Sequence, residues 1–196
     1  MRGNEIMLTL LALHGSGRNE TDLVDFCHQL APNAHVSAPR GQFAQADGFT
    51  FFKRRSDHSI AAAEVVDLAT RWISQEFEGH LQASGEIIVV GYSSGAIFAE
   101  ALLSVAPEKF AGAILMRPEP LSRNFYFSQM PAKPILIVAG KHDERRRKDD
   151  AAALTDQLMH SGAFVSLHVI DAGHGWAPHN ADIKLARSWL ATVATN

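Results

Sequence analysis

Glu86-Ile87-Ile88-Val89-Val90-Gly91-Tyr92-Ser93-Ser94-Gly95 reads as a strand that turns sharply into a helix. Four branched apolar residues in a row are the pattern of a strand covered on both faces, as in a parallel sheet. Residues 94–106 are then apolar nearly all round, which predicts a helix buried between the sheet and its neighbours, ended by Pro107. Between strand and helix stands G-x-S-x-G. A serine at such a junction occupies a tight, strained turn that presents its hydroxyl at the C-terminal edge of the sheet. Glycines two residues to either side keep other side chains out of the crowded backbone.

The same alternation extends in both directions. Short apolar runs at 6–13, 34–38, 86–90, 111–116, 134–139 and 164–170 predict six strands. Helical periods cover 60–77, 149–160 and 182–193 besides 94–106. Asp149 and Asp150 open the period at 149–160 in the manner of helix-start residues, and Gly162 follows its end. Strand and helix in alternation predict an α/β fold: a mostly parallel sheet of about six strands with helices on both faces. Only 17 residues separate Met116 from Pro134, and Pro118, Pro120 and Pro131 lie among them. That segment is a loop, too short for a helical cap domain. With 196 residues and no linker or repeat, the expectation is a single domain over 1–196.

Composition excludes several functions. The chain is 46% hydrophobic and 20% charged, with a formal net charge of −3, so no strong positive field exists to hold a polyanion; nucleic acid is not an expected partner. Apolar runs fall short of the roughly 18 residues that span a bilayer, so no membrane association is expected. Residues 7–13 read as a strand rather than a signal peptide, because Glu5 spoils the basic flank and His14-Gly15-Ser16-Gly17 is no small-residue cleavage site. The lone Cys27 excludes an internal disulfide and a thiolate zinc cluster, and fits a cytoplasmic location. No metal-ligand spacing appears and no cofactor is expected. A homodimer is compatible with the sequence, which does not fix an oligomeric state. The basic run Arg145-Arg146-Arg147-Lys148, offset by Asp149-Asp150, reads as a solvated loop.

A serine hydroxyl needs a base within hydrogen-bond reach, itself oriented by a carboxylate. In this topology the chain order is Ser, acid, His. His174, between glycines after the last strand, and Asp143, just past the strand at 134–139, fit those positions. Asp149, Asp150 and Asp171 are rivals for the acid, and His142 reads as a loop residue or hydrogen-bond partner. An oxyanion needs two N–H donors. The backbone N–H groups of Ser94 and of Ser16, in the small-residue loop His14-Gly15-Ser16-Gly17, are the candidates. That loop lacks the G-K-[ST] ending of a phosphate loop and completes no G-x-G-x-x-G. Phe43, Phe51, Phe52, Arg54, Arg117 and Phe125 are candidates for the substrate pocket.

These motifs resemble those of the phospholipase/carboxylesterase family of small α/β-hydrolases, particularly its hydroquinone-esterase-like branch. The matching stretches run from residues 13–20 through Pro39-Arg40-Gly41, Phe51-Phe52-Lys53-Arg54, the serine pentad and Met116-Arg117-Pro118. They continue through Gly140–Asp143 and Gly173-His174 to Trp189-Leu190. The resemblance implies an α/β-hydrolase fold and an esterase of small carboxylic esters. It implies Ser93, Asp143 and His174 as triad, with the N–H groups of Ser16 and Ser94 at the oxyanion. The chain departs from the family after Asp143, where Glu144-Arg145-Arg146-Arg147 replaces a Pro-containing apolar turn, and at 54–60, which is short. A thioesterase or lysophospholipase would use the same triad, and a binding protein could keep the fold without turnover. A metal-dependent hydrolase fails for want of ligands.

Overall fold

The structure, a computed structural model, describes residues 7–80 and 85–193; Ile6, the first residue of the first expected strand, lies outside them. The elements in chain order are β1 (Met7–Leu13), α1 (Val24–Leu30), β2 (His35–Ser37), β3 (Phe43–Gln45), β4 (Gly48–Thr50) and α2 (Ala62–Gln75). They continue with β5 (Gly85–Tyr92), α3 (Ser94–Val105), β6 (Gly112–Met116), β7 (Pro134–Gly140), α4 (Asp150–His160), β8 (Phe164–Ile170) and α5 (Ala181–Val193). Six strands form one sheet in the order β2-β1-β5-β6-β7-β8, every pair parallel.

Side chains alternate across a strand, and here both faces are covered. Leu11, Leu13, Ile87, Val89, Ala113, Leu115, Ile135 and Ile137 pack under α2, α3 and α4. Their neighbours Leu10, Ala12, Ile88, Val90, Ile114, Met116, Leu136 and Val138 pack under α1 and α5. This two-sided burial is why the strands are continuous apolar runs rather than alternating ones. Helix α3 is buried from Ser94 to Ser104. Glu100 within it is fully buried, and burial holds its carboxyl well above the usual carboxylate range. Its Oε2 accepts from the Leu121 N–H at 3.2 Å. Among the described residues there is no cap domain, and no helix is long and apolar enough to cross a membrane.

Two elements add to the sequence-based expectation. Helix α1 is a two-turn helix burying Phe26, Cys27 and Leu30. Strands β3 and β4 form a separate antiparallel hairpin between the expected strand at 34–38 and the helical period at 60–77. Its turn carries Ala46 at φ 51°, a conformation that sequence reasoning assigns to Gly or Asn. The hairpin braces the loop after β1. Gly17 N–H donates to Phe49 O (3.0 Å), Phe49 N–H donates to Arg18 O (2.7 Å), and the Ser16 hydroxyl meets that of Thr50 at 3.2 Å.

Candidate active site

Ser93 sits between β5 and α3 at φ 55°, ψ −113°, a region costing of order 1–3 kcal/mol for a residue with a Cβ. The flanking glycines make this turn feasible. A Cβ at Gly91 would lie 2.6 Å from the backbone of Ala96, and one at Gly95 would lie 2.0 Å from Leu13 O. The Ser93 N–H donates to Met116 O at 2.8 Å, tying the turn to β6.

His174 follows β8 and Asp143 follows β7, and the parallel sheet brings both loops to the same edge as Ser93. His174 Nε2 is 2.9 Å from Ser93 Oγ. Its Nδ1 is 2.8 and 3.0 Å from the two carboxylate oxygens of Asp143. An ionised carboxylate only accepts, so Nδ1 carries the proton and Nε2 is free to accept from the serine. The Asp143 side chain is 2% exposed, which strengthens its hold on the imidazole, and its Oδ1 also accepts from the Arg145 N–H at 3.0 Å. Burial lowers the His174 pKa, and Arg146 and Arg145 lower it further. The hydrogen bond that Nδ1–H donates to Asp143, and the charge of that carboxylate, oppose the shift without cancelling it.

The loop carrying His174 is fixed through its own backbone. Arg117 Nε donates to Gly173 O (3.1 Å), Tyr92 OH donates to His174 O, and Arg117 Nη2 donates to Gly175 O (2.9 Å), so three successive carbonyls are held. Arg117 is fully buried and paired with Asp182 at the start of α5 (2.8 and 3.1 Å). The loop after β1 is fixed by buried His14, whose Nδ1–H donates to Gly15 O (2.8 Å) and whose Nε2 accepts from the Gly41 N–H (2.9 Å). Among the described residues neither the Ser16 N–H nor the Ser94 N–H has an acceptor.

The rival carboxylates are engaged elsewhere. Asp149 pairs with Arg123, Asp150 accepts from the Arg147 N–H, and Asp171 pairs with His142 at 2.7 Å in an exposed contact. The expected pocket wall needs correction. A cleft of about 220 Å³ opens at Ser93, lined by Gly15, Ser16, Arg18, Asp22, Tyr92, Ser93, Arg145, His174, Gly175 and Trp176. None of the six pocket candidates lines it. Phe51 and Phe52 are core residues, Phe51 stacking on Phe98 with ring centres 5.0 Å apart. Phe125 packs edge-on to Phe127, and Phe43 lies on the hairpin beneath the Lys53 ammonium. Arg117 is the buried pin just described. Arg54 pairs with Glu119, which in turn meets Arg146. Phe51 and Phe52 are drawn to the apolar interior, and the aromatic wall of the cleft comes instead from Tyr92 and Trp176, whose ring centres lie 4.8 Å apart.

The basic run is the second correction. Arg145, Arg147 and Lys148 are exposed as a solvated loop requires. Arg146 turns inward. Its side chain is 10% exposed, and Nη2 donates to Ser93 Oγ at 3.1 Å. Nη1 meets Glu119 Oε1 at 3.0 Å, and Nε donates to Arg117 O and Pro118 O. Tyr92 and Trp176 could have been suspected from their positions inside the pentad and two residues after His174. Nothing in a run of four basic residues singles out the one that turns in.

Residues 43–193, well over half the chain, match the family model described as "Dienelactone hydrolase family". The chain belongs to that family. It is 35% identical over 184 residues to a Bacillus subtilis (strain 168) protein named "Putative hydrolase MhqD", covering 92% of this chain and 90% of that protein. A carboxylesterase from Mesorhizobium loti superposes with a TM-score of 0.83 at 29% identity, over 93% of this chain and 88% of that one. A Bacillus cereus carboxylesterase superposes with a TM-score of 0.84 at 23% identity, over 95% and 89%, a likeness of fold. The protein is thus an α/β-hydrolase of the carboxylesterase type, the kind the motifs pointed to. Among the described residues no group of three or more His, Cys, Asp or Glu converges as a metal site.

Proposed function

We propose that the protein is a serine hydrolase that cleaves small carboxylic esters through an acyl-enzyme on Ser93, with His174 as base and Asp143 as its orienting acid. The observation that carries the reading is the unbroken hydrogen-bond chain from Ser93 Oγ through the imidazole to a carboxylate withheld from water. Ser93 Oγ attacks the ester carbonyl while its proton passes to His174 Nε2. The carbonyl electron pair moves onto oxygen, and the free N–H groups of Ser16 and Ser94 receive that oxyanion. Collapse expels the alcohol, which takes the proton from Nε2. Water then repeats the cycle on the acyl-enzyme and releases the acid.

The small cleft and the lack of a cap favour a short acyl group over the long chain of a lysophospholipase or acyl-thioesterase substrate. The lone buried Cys27 accords with a cytoplasmic setting. The deciding experiment is labelling with a fluorophosphonate followed by peptide mapping, with Ser93→Ala as control. Label confined to Ser93, and activity lost by several orders of magnitude in Ser93→Ala, are expected. Label elsewhere on the folded protein would remove the assignment. On p-nitrophenyl esters kcat/KM should peak at about two to six acyl carbons, because a further methylene, worth about 0.8 kcal/mol when buried, would lie against water.

A further inference from the structure

We propose that Arg146 is a further catalytic residue, its Nη2–H stabilising the charge that Ser93 Oγ acquires when it attacks the ester and again when it leaves the acyl-enzyme. The inference rests on Ser93 being the nucleophile. Ser93 Oγ has two partners among the described side chains, His174 Nε2 at 2.9 Å and Arg146 Nη2 at 3.1 Å. A guanidinium cannot accept, so the serine proton is directed to the imidazole and the Oγ lone pair to Arg146. One hydrogen bond thereby orients the hydroxyl for transfer, and it strengthens as the oxygen becomes anionic.

The guanidinium is built in rather than draped over the site. Its Nε donates to Arg117 O at 2.9 Å and to Pro118 O at 3.1 Å, and Nη1 donates to Arg145 O at 3.1 Å. Glu119, its ion-pair partner, also pairs with Arg54, so one carboxylate serves two cations. The guanidinium is thus shared rather than fully matched by Glu119, and its side chain, 10% exposed, is largely shielded from water.

In acylation the Oγ–carbon bond forms as the Oγ proton moves to His174 Nε2. Arg146 keeps all its protons and offers one to the oxygen while the charge develops. In deacylation a water oxygen bonds to the acyl carbon and gives its proton to Nε2. The carbon–Oγ bond then breaks, and Nε2 returns the proton to Oγ. Oγ is the leaving group in that step, so the same donor assists its departure.

A structural anchor would act through folding alone, whereas a cation at Oγ also acts on the base. The charged and titratable groups facing His174 are Asp143, Arg145, Arg146 and Tyr92, with Arg18 and Asp22 across the cleft. Of these, Arg146 is the cation hydrogen-bonded to the oxygen that the imidazole serves. Its loss should make the imidazolium easier to form.

The test compares wild type, Arg146→Met and Arg146→Lys by the p-nitrophenol burst from p-nitrophenyl acetate, by the rate of fluorophosphonate labelling and by the pH profile of kcat/KM. In Arg146→Met both acylation and deacylation should slow by about 10- to 100-fold, somewhat less than loss of an oxyanion-hole donor. The acid limb should move to higher pH. Arg146→Lys keeps a charge with fewer donors. It should label at an intermediate rate with its acid limb near that of wild type, and it carries the test if Arg146→Met does not fold. The proposal is overturned if Arg146→Met stays within about threefold of wild type in both steps. Equality of the two variants in rate and in limb position would also overturn it. Either failure, with wild-type label still on Ser93, leaves the nucleophile standing; absence of that label would instead remove the esterase reading itself.

Discussion

The loop that carries His174 and the loop that carries Asp143 lie side by side at one edge of the sheet and are held by different means. The first has three successive carbonyls pinned from below, by buried Arg117 and by Tyr92. The second is held mainly by its own backbone, with a tie to the first from the His142 N–H to Ala172 O at 2.9 Å. Asp143 N–H donates to Gly140 O, Arg146 N–H donates to Asp143 O, and Arg147 N–H donates to Asp150 Oδ2, all within the loop and the start of α4. A deep anchor in it is Arg146, which reaches to the serine. Damage to the first loop's support should therefore appear as lost stability together with lost activity. Damage to the second should appear as lost activity with the fold intact.

The largest effect separates the carboxylates of the second loop. Asp143→Asn should lower kcat by up to about 10⁴, because the amide favours the wrong imidazole tautomer and cannot stabilise the imidazolium. Asp149→Asn, at an exposed carboxylate paired with Arg123, should leave kcat nearly unchanged. Steady-state kinetics on one ester would decide it, and similar losses in both variants would break the comparison.

Next in size is the pin of the first loop. Arg117→Met leaves Asp182 buried with the Ala177 N–H as its remaining donor among the described residues, and removes the donors to Gly173 O and Gly175 O. Breaking a buried pair in this way costs about 3–5 kcal/mol, measurable as a lower urea midpoint. Replacing both partners, Arg117→Met with Asp182→Leu, should recover much of that stability. It should not recover kcat, since the carbonyls beside His174 still lack their donors. A double variant that regains both would mean that the ion pair matters and the carbonyl contacts do not.

The two loops were also unequally legible in the sequence. Ser93, Asp143 and His174 could be located because each follows a strand, and a parallel sheet delivers all strand ends to one edge. The sheet itself was legible because two-sided burial writes an unmistakable apolar run. What could not be read was direction. Phe51 and Arg54 lie three residues apart, yet one enters the core and the other reaches Glu119. Arg146 faces the serine while its neighbours on both sides face water. Such choices depend on partners far along the chain, such as Glu119 and the carbonyls of Arg117 and Pro118, which no local pattern names. Glu100 escaped notice for the same reason, an acid buried in a helix whose period is otherwise apolar. The hairpin was hidden by three-residue strands and by a turn built on Ala46 instead of glycine.

The smallest effect concerns the base that both loops share. On the proposed mechanism His174 must be neutral to accept the serine proton, so kcat/KM should rise with pH as the imidazolium deprotonates. Burial depresses its pKa first, and Arg146 and Arg145 add to that; the Asp143 hydrogen bond and charge oppose it but do not restore the ordinary value. A lowered pKa places the rise of activity below the reference of about 6.5, leaving the enzyme fully competent at neutral pH. The residual activity of Asp143→Asn should rise at a still lower pH, because the strongest counterweight to burial is gone. Arg145→Met, on the exposed part of the same loop, should shift the rise slightly upward. Profiles of kcat/KM from pH 4.5 to 8 on a single ester would resolve these displacements. A wild-type midpoint above about 6.5 would mean that the Asp143 carboxylate outweighs burial and both arginines, and that the second loop holds the base more firmly than the first.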